Sequence, residues 1–573
     1  MRLSLLLIIL SISLPSSPTL LATNLASDSG ESSPINDNDS IIHQIYELVD
    51  QRNLNSAVFD QALQHSDSEI VRASLMGLGR IGGEGAADKA LPFIEHKDEQ
   101  LRRLAAFAIG QSAHKPAAEH LWPRLEKEKS TLVKKELYLS LGKLGEENLL
   151  NKMMQRLDRE TSRESAAYLF QCLTIGATFH REQLKNYSEI DFSKVLNHFS
   201  EGDDFSALAG LFMTRVPEIE SFITAEDLHP LTLKKMSPYA TAILAKLIAK
   251  TTLKQHTLNR ELLAWAIEQS ESSDLGVQLE STRILGNLVQ FPQALIQLGK
   301  LHISPNPVVA QTALKVLADS ELNTKEVLQL FKKQLKSKTP SMVVEAISGM
   351  VKRQKKEEMS WIVNLFGHPS PYVKIRLLDM LKNKPDSNFD NLIKHFTKDP
   401  EQEVSRYAKR LLKADDASDE SIAQSPSYTL AIKAARKKVT LKTTIGDIKI
   451  QLLADAPYTS WHFINNAKLG NFDNSYFSRV IGNFVAQGGD SIGDRSGSSD
   501  ETIREEINFL AHEPMTVGMA TAGKDTGTSQ FFINTARNLH LDRSYTIFGK
   551  VIDGQDVAMK MTHGVKVLKV LVE

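Results

Sequence analysis

Cys172 is the only cysteine among 573 residues, which excludes an intramolecular disulfide and any cysteine-based metal site or redox pair. It lies in the apolar run 166–175, where a small buried hydrophobe is its expected role. Surplus charge is lacking as well: a formal net charge of −1 gives no chain-wide electrostatic case for nucleic acid or an anionic membrane surface. The histidines are scattered without ligand spacing, so no metal or cofactor is expected. Beyond the N-terminus no apolar run approaches the ~20 residues that cross a bilayer. Apolar residues at 42% against 24% charged leave neither a wholly disordered chain nor a polytopic membrane protein. The length exceeds what one compact core supports, so several domains or a repeat array are expected.

The N-terminus carries an address. Arg2 precedes an apolar run over residues 3–14, and Pro15 and Pro18 break it. A basic residue followed by a short apolar stretch is the pattern of a secretory signal, expected over residues 1–22. Export to the periplasm or another extracytoplasmic space follows, with no membrane span apart from the signal. Residues 23–40 are rich in Ser, Asp and Asn and read as a disordered leader.

From about residue 41 the pattern is helical and repeats. Gly79, Gly110 and Gly142 stand 31 and 32 residues apart, each preceded by an apolar-basic step: Ile70-Val71-Arg72, Leu101-Arg102-Arg103 and Val133-Lys134-Lys135. The same phrase returns around Val277, Val309, Val344, Val373 and Val404 at intervals of 32, 35, 29 and 31. Two short amphipathic helices per unit cannot bury their apolar stripes alone, so neighbours must stack. This resembles HEAT-like repeats, over residues 41–413, with the register blurred between 179 and 269. Such an arm is expected to bind clients or another protein partner. Residues 414–437 open on an acidic, Ser-rich stretch and read as a linker that leaves arm and C-terminal domain as separate units.

Past the linker the period changes. Val439, Leu441, Ile448, Ile450 and Leu452 alternate with polar residues, which predicts two strands joined at Ile445-Gly446-Asp447. Pro457 opens a helix that Gly470 ends, with Phe463, Ile464 and Ala467 on its inner face. Residues 477–490 then read FSRVIGNFVAQGGD, residues 518–535 GMATAGKDTGTSQFFINT, and residues 541–551 LDRSYTIFGKV. In order and spacing these three segments resemble the core motifs of cyclophilin-type peptidyl-prolyl cis–trans isomerases, over residues 438–573. The resemblance implies a closed antiparallel β-barrel of about eight strands with two helices, the second over residues 555–561 with Val557, Ala558 and Met561 inward.

It also implies a site. Arg479 would supply a cation to the twisted amide, oriented by Gln487. Phe484, Val485, Phe532 and Leu541 would line a proline socket, and Gln530 would meet the substrate backbone. Ala520, Thr521 and Ala522 would border an extended peptide, with His540 and Tyr545 at the rim. The implied partners are proline-containing polypeptides, and no cofactor is needed. Four departures from the family pattern stand out: Ser478 before the arginine, Gly482-Asn483 in place of a proline-glycine turn, His540 for a frequent tryptophan, and Tyr545 for a frequent histidine. The polar loop 494–501 is a fifth. A proline-peptide binding module without catalysis, or a repeat scaffold with the barrel as accessory, are the alternative readings.

Overall fold

In the computed structural model the description covers residues 37–573 except 161, 183, 185, 256–259, 355, 383–389, 413–420, 494–498 and 500. The expected signal and most of the leader therefore lie outside the described residues. The leader's expected end at residue 40 is corrected, because helix Asp37–Asp50 has already begun there.

The helical region is built from a local rule repeated. Asp67, Asp98, Ser130 and Ser162, at intervals of 31, 32 and 32, cap helices Ser68–Ile81, Glu99–Gln111, Thr131–Leu144 and Arg163–Phe179. Each cap side chain accepts from backbone N–H groups of the first turn that have no partner within the helix. These four helices stack side by side, and shorter helices such as Glu84–Ala90 and Ala118–Lys127 pack between successive members. The glycines of the repeat mark the stacking points. A Cβ on Gly79 would lie 2.4 Å from the Phe107 ring, one on Gly110 2.5 Å from Ser140 Oγ, and one on Gly142 2.7 Å from the Cys172 carbonyl. Helix backbones approach too closely there for any side chain, so the spacing of the glycines is the spacing of the helices. Cys172 is fully buried at one of these contacts. The region with blurred register holds helices as well, among them Phe192–Phe199, Ala207–Met213 and Pro238–Gln255.

The C-terminal domain contains strands β1 (Ser421–Ile422), β2 (Lys438–Thr443), β3 (Gly446–Leu452), β4 (Arg479–Ile481), β5 (Val485–Gly488), β6 (Glu501–Thr502), β7 (Thr516–Met519), β8 (Phe531–Asn534), β9 (Ile547–Asp553) and β10 (Val567–Val572). Eight of them form one antiparallel sheet in the order β10-β2-β3-β9-β7-β8-β5-β4. The sheet curls until the segment entering β4 meets the one entering β10, where Phe477 N–H donates to Val565 O at 2.9 Å and Val567 N–H to Ser475 O at 2.8 Å. A short bridge at Tyr476 and Lys566, rather than a full ladder, joins the two ends. Inside the curl, Phe463 of helix Pro457–Leu469 meets Phe531 at 5.4 Å and Phe548 at 5.3 Å, among Leu441, Ile450, Val517 and Ile533. The second helix is shorter than expected, Gln555–Met559. Ala558 and Met561 are buried and Val557 is half-buried.

The expectation of two separate units joined by an unpacked linker is corrected. Residues 414–420 lie outside the described residues, but 421–437 are packed. β1 pairs in parallel with β6, and helix Tyr428–Ala434 lies on helix Pro457–Leu469 with Tyr428 stacked on Tyr46 at 4.8 Å. Beyond that junction the stacked helices wrap the sheet domain with their inner edges. Arg80 donates to Asp455 O at 2.6 Å, and the Glu136 carboxylate receives Arg543 Nε and Nη2 at 3.1 Å each. Phe509 sits between the guanidiniums of Arg103, 4.2 Å from the ring centre, and Arg543, 4.5 Å from it. At the far end of the array Tyr476 Oη donates to Glu403 at 3.0 Å. The inner edge of the arm is thus occupied by the protein's own C-terminal domain.

Candidate active site

Register places the central residues in one row. Across β4, β5, β8 and β7 the paired positions are Arg479, Gln487, Phe532 and Gly518. Alternation turns all four to the outer face of the sheet, while their neighbours Ala486, Ile533 and Val517 point into the core. Val485, two residues before Gln487, shares the outer face. Gly518 makes room for the socket floor, since a Cβ there would meet Phe532 Cζ at 2.4 Å.

Around Phe532 the apolar lining assembles from separate segments. Val485, Phe532 and Leu541 form one buried cluster, with Phe484, Ala520 and Tyr545 packed against it. Tyr545 meets Phe532 edge-on at 5.8 Å, and the buried His512 stacks on the same ring at 5.9 Å. Arg479 stands at the mouth, with Nη1 donating to Gln487 Oε1 at 3.4 Å and its guanidinium 5.6 Å from the centre of the Phe484 ring. Gln487 Nε2 donates to Gln530 Oε1 at 2.8 Å, which ties the two amides together. Arg479, Gln487, Gln530 and Thr521 are half-buried and Ala522 is exposed, so this side of the socket faces solvent. Ala520 N–H is already bonded to Gln530 O at 3.0 Å, and Ala522 N–H to Thr526 Oγ1 at 2.9 Å. Ten of the twelve expected site residues are joined by such contacts, His540 through Phe484, and Thr521 and Ala522 follow Ala520 in the chain.

What the sequence did not disclose is that the helical arm reaches the same place. Arg283 donates to Gly482 O at 3.0 Å, Asn483 Nδ2 donates to Glu280 at 3.1 Å, and Arg215 Nη2 lies 3.0 Å from His540 Nε2. These partners are 199 to 325 residues apart in the chain, and no spacing rule connects them. Two of the departures from the family pattern, Gly482-Asn483 and His540, lie at these contacts. Gly482 leaves room for Leu279, whose Cδ1 would lie 2.7 Å from a Cβ there, and Asn483 adopts φ 61° at the tip of the β4–β5 turn. His540 is 5% exposed, stacked on Phe484 at 5.5 Å and bonded to the arm. The Ser478 carbonyl accepts from Tyr372 Oη at 3.5 Å. Tyr545 packs inside the domain, and most of loop 494–501 lies outside the described residues. Burial pushes the Tyr545 phenol up, against the pull of Arg479, and pushes the His540 imidazole well down, aided by Arg215.

The outer sheet face of this β-domain thus carries an apolar socket, a guanidinium at its mouth and two linked amides. The family model for cyclophilin-type peptidyl-prolyl cis-trans isomerases matches residues 438–570, and the chain belongs to this family through that domain. Among its relatives, peptidyl-prolyl cis-trans isomerase-like 1 of Rhizopus delemar is 42% identical over 132 residues, covering 22% of this chain and 80% of that protein. A peptidyl-prolyl cis-trans isomerase of Helicobacter pylori is 38% identical over 123 residues, covering 21% and 76%. Peptidyl-prolyl cis-trans isomerase CYP71 of Arabidopsis thaliana is 36% identical over 167 residues, covering 28% of this chain and 26% of that protein. The chain therefore spans only about a quarter of that last relative, and none of these matches covers more than 28% of this chain.

Proposed function

We propose that this protein is an exported peptidyl-prolyl cis–trans isomerase that assists folding outside the cytoplasm, with a HEAT-like arm that holds the catalytic domain and shapes its rim. The row of Arg479, Gln487 and Phe532 across three adjacent strands carries this reading. Rotation about an amide C–N bond faces ~18–20 kcal/mol, because resonance must be broken. X–Pro isomers differ little in energy but exchange over tens of seconds or longer. No nucleophile or metal is required, only a site that binds the twisted amide better than the planar one. The ring of proline fills the socket of Phe484, Val485, Phe532 and Leu541. Arg479, held by Gln487, then donates to the prolyl nitrogen, whose lone pair is released as conjugation is lost. Gln530 meets the substrate backbone, and residues 520–522 border the extended chain. A barrier lowered by ~7 kcal/mol would correspond to about 10⁵-fold acceleration.

The test is exchange between cis and trans forms of a short proline peptide, followed by NMR with the full chain. Arg479→Ala is expected to lower kcat/KM ~10²–10³-fold, as for other electrostatic transition-state donors, while circular dichroism stays unchanged. Equal acceleration by both proteins overturns the assignment. Peptide binding by both without acceleration supports the binding-module alternative. Export rests on Arg2 and the apolar run after it; fractionation of the native host is expected to find the protein outside the cytosol. A cytosolic pool retaining Met1 would refute it. Among the described residues no helix is long and apolar enough to cross a membrane.

A further inference from the structure

At the rim of the socket the arm and the domain together enclose polar atoms whose missing partners are of one kind. A guanidinium can only donate, so in the 3.0 Å contact with Arg215 Nη2 the Nε2 atom of His540 is the acceptor. The proton of the neutral imidazole is then on Nδ1, and that buried N–H has no acceptor among the described residues. Nε of Arg215, a second obligate donor, is buried without one too, and so is the hydroxyl of Tyr239, close enough to Arg215 to act on its charge. Leaving such groups unpaired is destabilising, because burial removes their bonds to water without replacing them.

The nearby carboxylates are already committed. Glu280 receives Arg283 Nη1 at 2.6 Å, and Arg537 takes Asp542 at 2.6 Å and Glu513 at 2.8 Å. Glu220 faces Lys250, and Arg181 adds a further positive charge on that side. Lys246 faces both Arg215 and His540, and burial with the charges of Lys246 and Arg215 brings the Lys250 ammonium down to about 8. What these groups lack is an acceptor, and the surrounding charge favours a negative one. His540 stacks on Phe484, and Leu541 is part of the socket, so a group held here adjoins a bound proline.

We propose that Arg215, Tyr239 and His540 form a carboxylate-binding subsite at the rim of the proline socket, reinforced by Lys246 and Lys250. The favoured peptide then carries Asp or Glu beside its proline, or ends in a free carboxylate close to it. This rests on the isomerase reading for its place in the reaction, but binding tests it separately. The full chain is titrated by NMR with amidated peptides bearing Glu or Gln immediately before or after proline, and with a neutral peptide whose free C-terminus lies one residue beyond proline. Exchange rates are measured on the same samples.

A Glu peptide, or the free-carboxylate peptide, is expected to bind about tenfold more tightly than its neutral counterpart, and which of them does so identifies the source of the carboxylate. That ratio should fall towards one in Lys246→Gln and in Tyr239→Phe, and in 0.5 M salt. A variant that only perturbs the fold weakens all peptides alike and leaves the ratio intact, which overturns the subsite. Equal binding of acidic and neutral peptides by the wild type overturns it too, even if both are isomerised. Tighter binding of acidic peptides without accelerated exchange keeps the subsite and removes the isomerase reading.

Discussion

Gly518 shows how little tolerance the socket has. The Phe532 ring lies across its Cα, and even a methyl group there would press on Cζ at 2.4 Å. Gly518→Ala is expected to tilt the ring, to cost about 1–3 kcal/mol of stability as overpacking does, and to weaken peptide binding and turnover together. Denaturant unfolding and the exchange assay check both, and unchanged KM with intact stability would show that the ring does not form the floor. Arg479 differs in kind: it is half-buried at the mouth, so its removal is expected to act on the rate and leave the fold alone. The residues expected to form socket and cation could be named from the sequence because they lie in continuous motifs of a few residues. The orientation of His540 was not, because its partner is Arg215.

Among elements, the junction around Glu128 ties three helices of the arm. Its carboxylate accepts from Arg102 Nε at 2.9 Å and Arg124 Nη2 at 2.7 Å, and from Ser130 N–H at 2.8 Å just before helix Thr131–Leu144. Burial works to raise this carboxyl, but the bonds from Arg102, Ser130 and Arg124 outweigh it and hold it down at about 2. A carboxyl with a depressed folded-state pKa stabilises fully above its ordinary value near 4.5 and loses that contribution as pH falls through about 2. Glu128→Gln is therefore expected to cost about 1.5–3 kcal/mol at pH 7 and only a small part of that at pH 2. Denaturant unfolding of both proteins across that range checks the sign, and a difference that persists undiminished at pH 2 refutes it. The strands of the sheet domain and the caps of the arm could be read in advance, because alternation and N-capping are local. The packing of residues 421–437 was not legible, because composition says nothing of a neighbour such as Tyr46 that supplies the surface.

For the whole molecule the decisive feature is the docked domain. Glu136 and Arg543 are 1% and 4% exposed, so Glu136→Ala leaves Arg543, with Arg103 beside it, buried and uncompensated. Breaking a buried pair from one side costs ~3–5 kcal/mol. The expected result is a single unfolding transition in wild type that splits into two in the variant, with new tryptic cleavage at the exposed Lys433, Arg436 and Lys437. Two transitions in both proteins would show that arm and domain are independent after all. The sequence by itself determined the repeat, the strand alternation, the proline-site motifs and the family, since each is written in neighbouring residues. Only the tertiary structure decided that the arm closes around its own C-terminal domain and completes the rim of the site. Contacts such as Arg80 with Asp455, 375 residues apart, depend on how many small helix-to-helix rotations add up, and no local pattern encodes that sum.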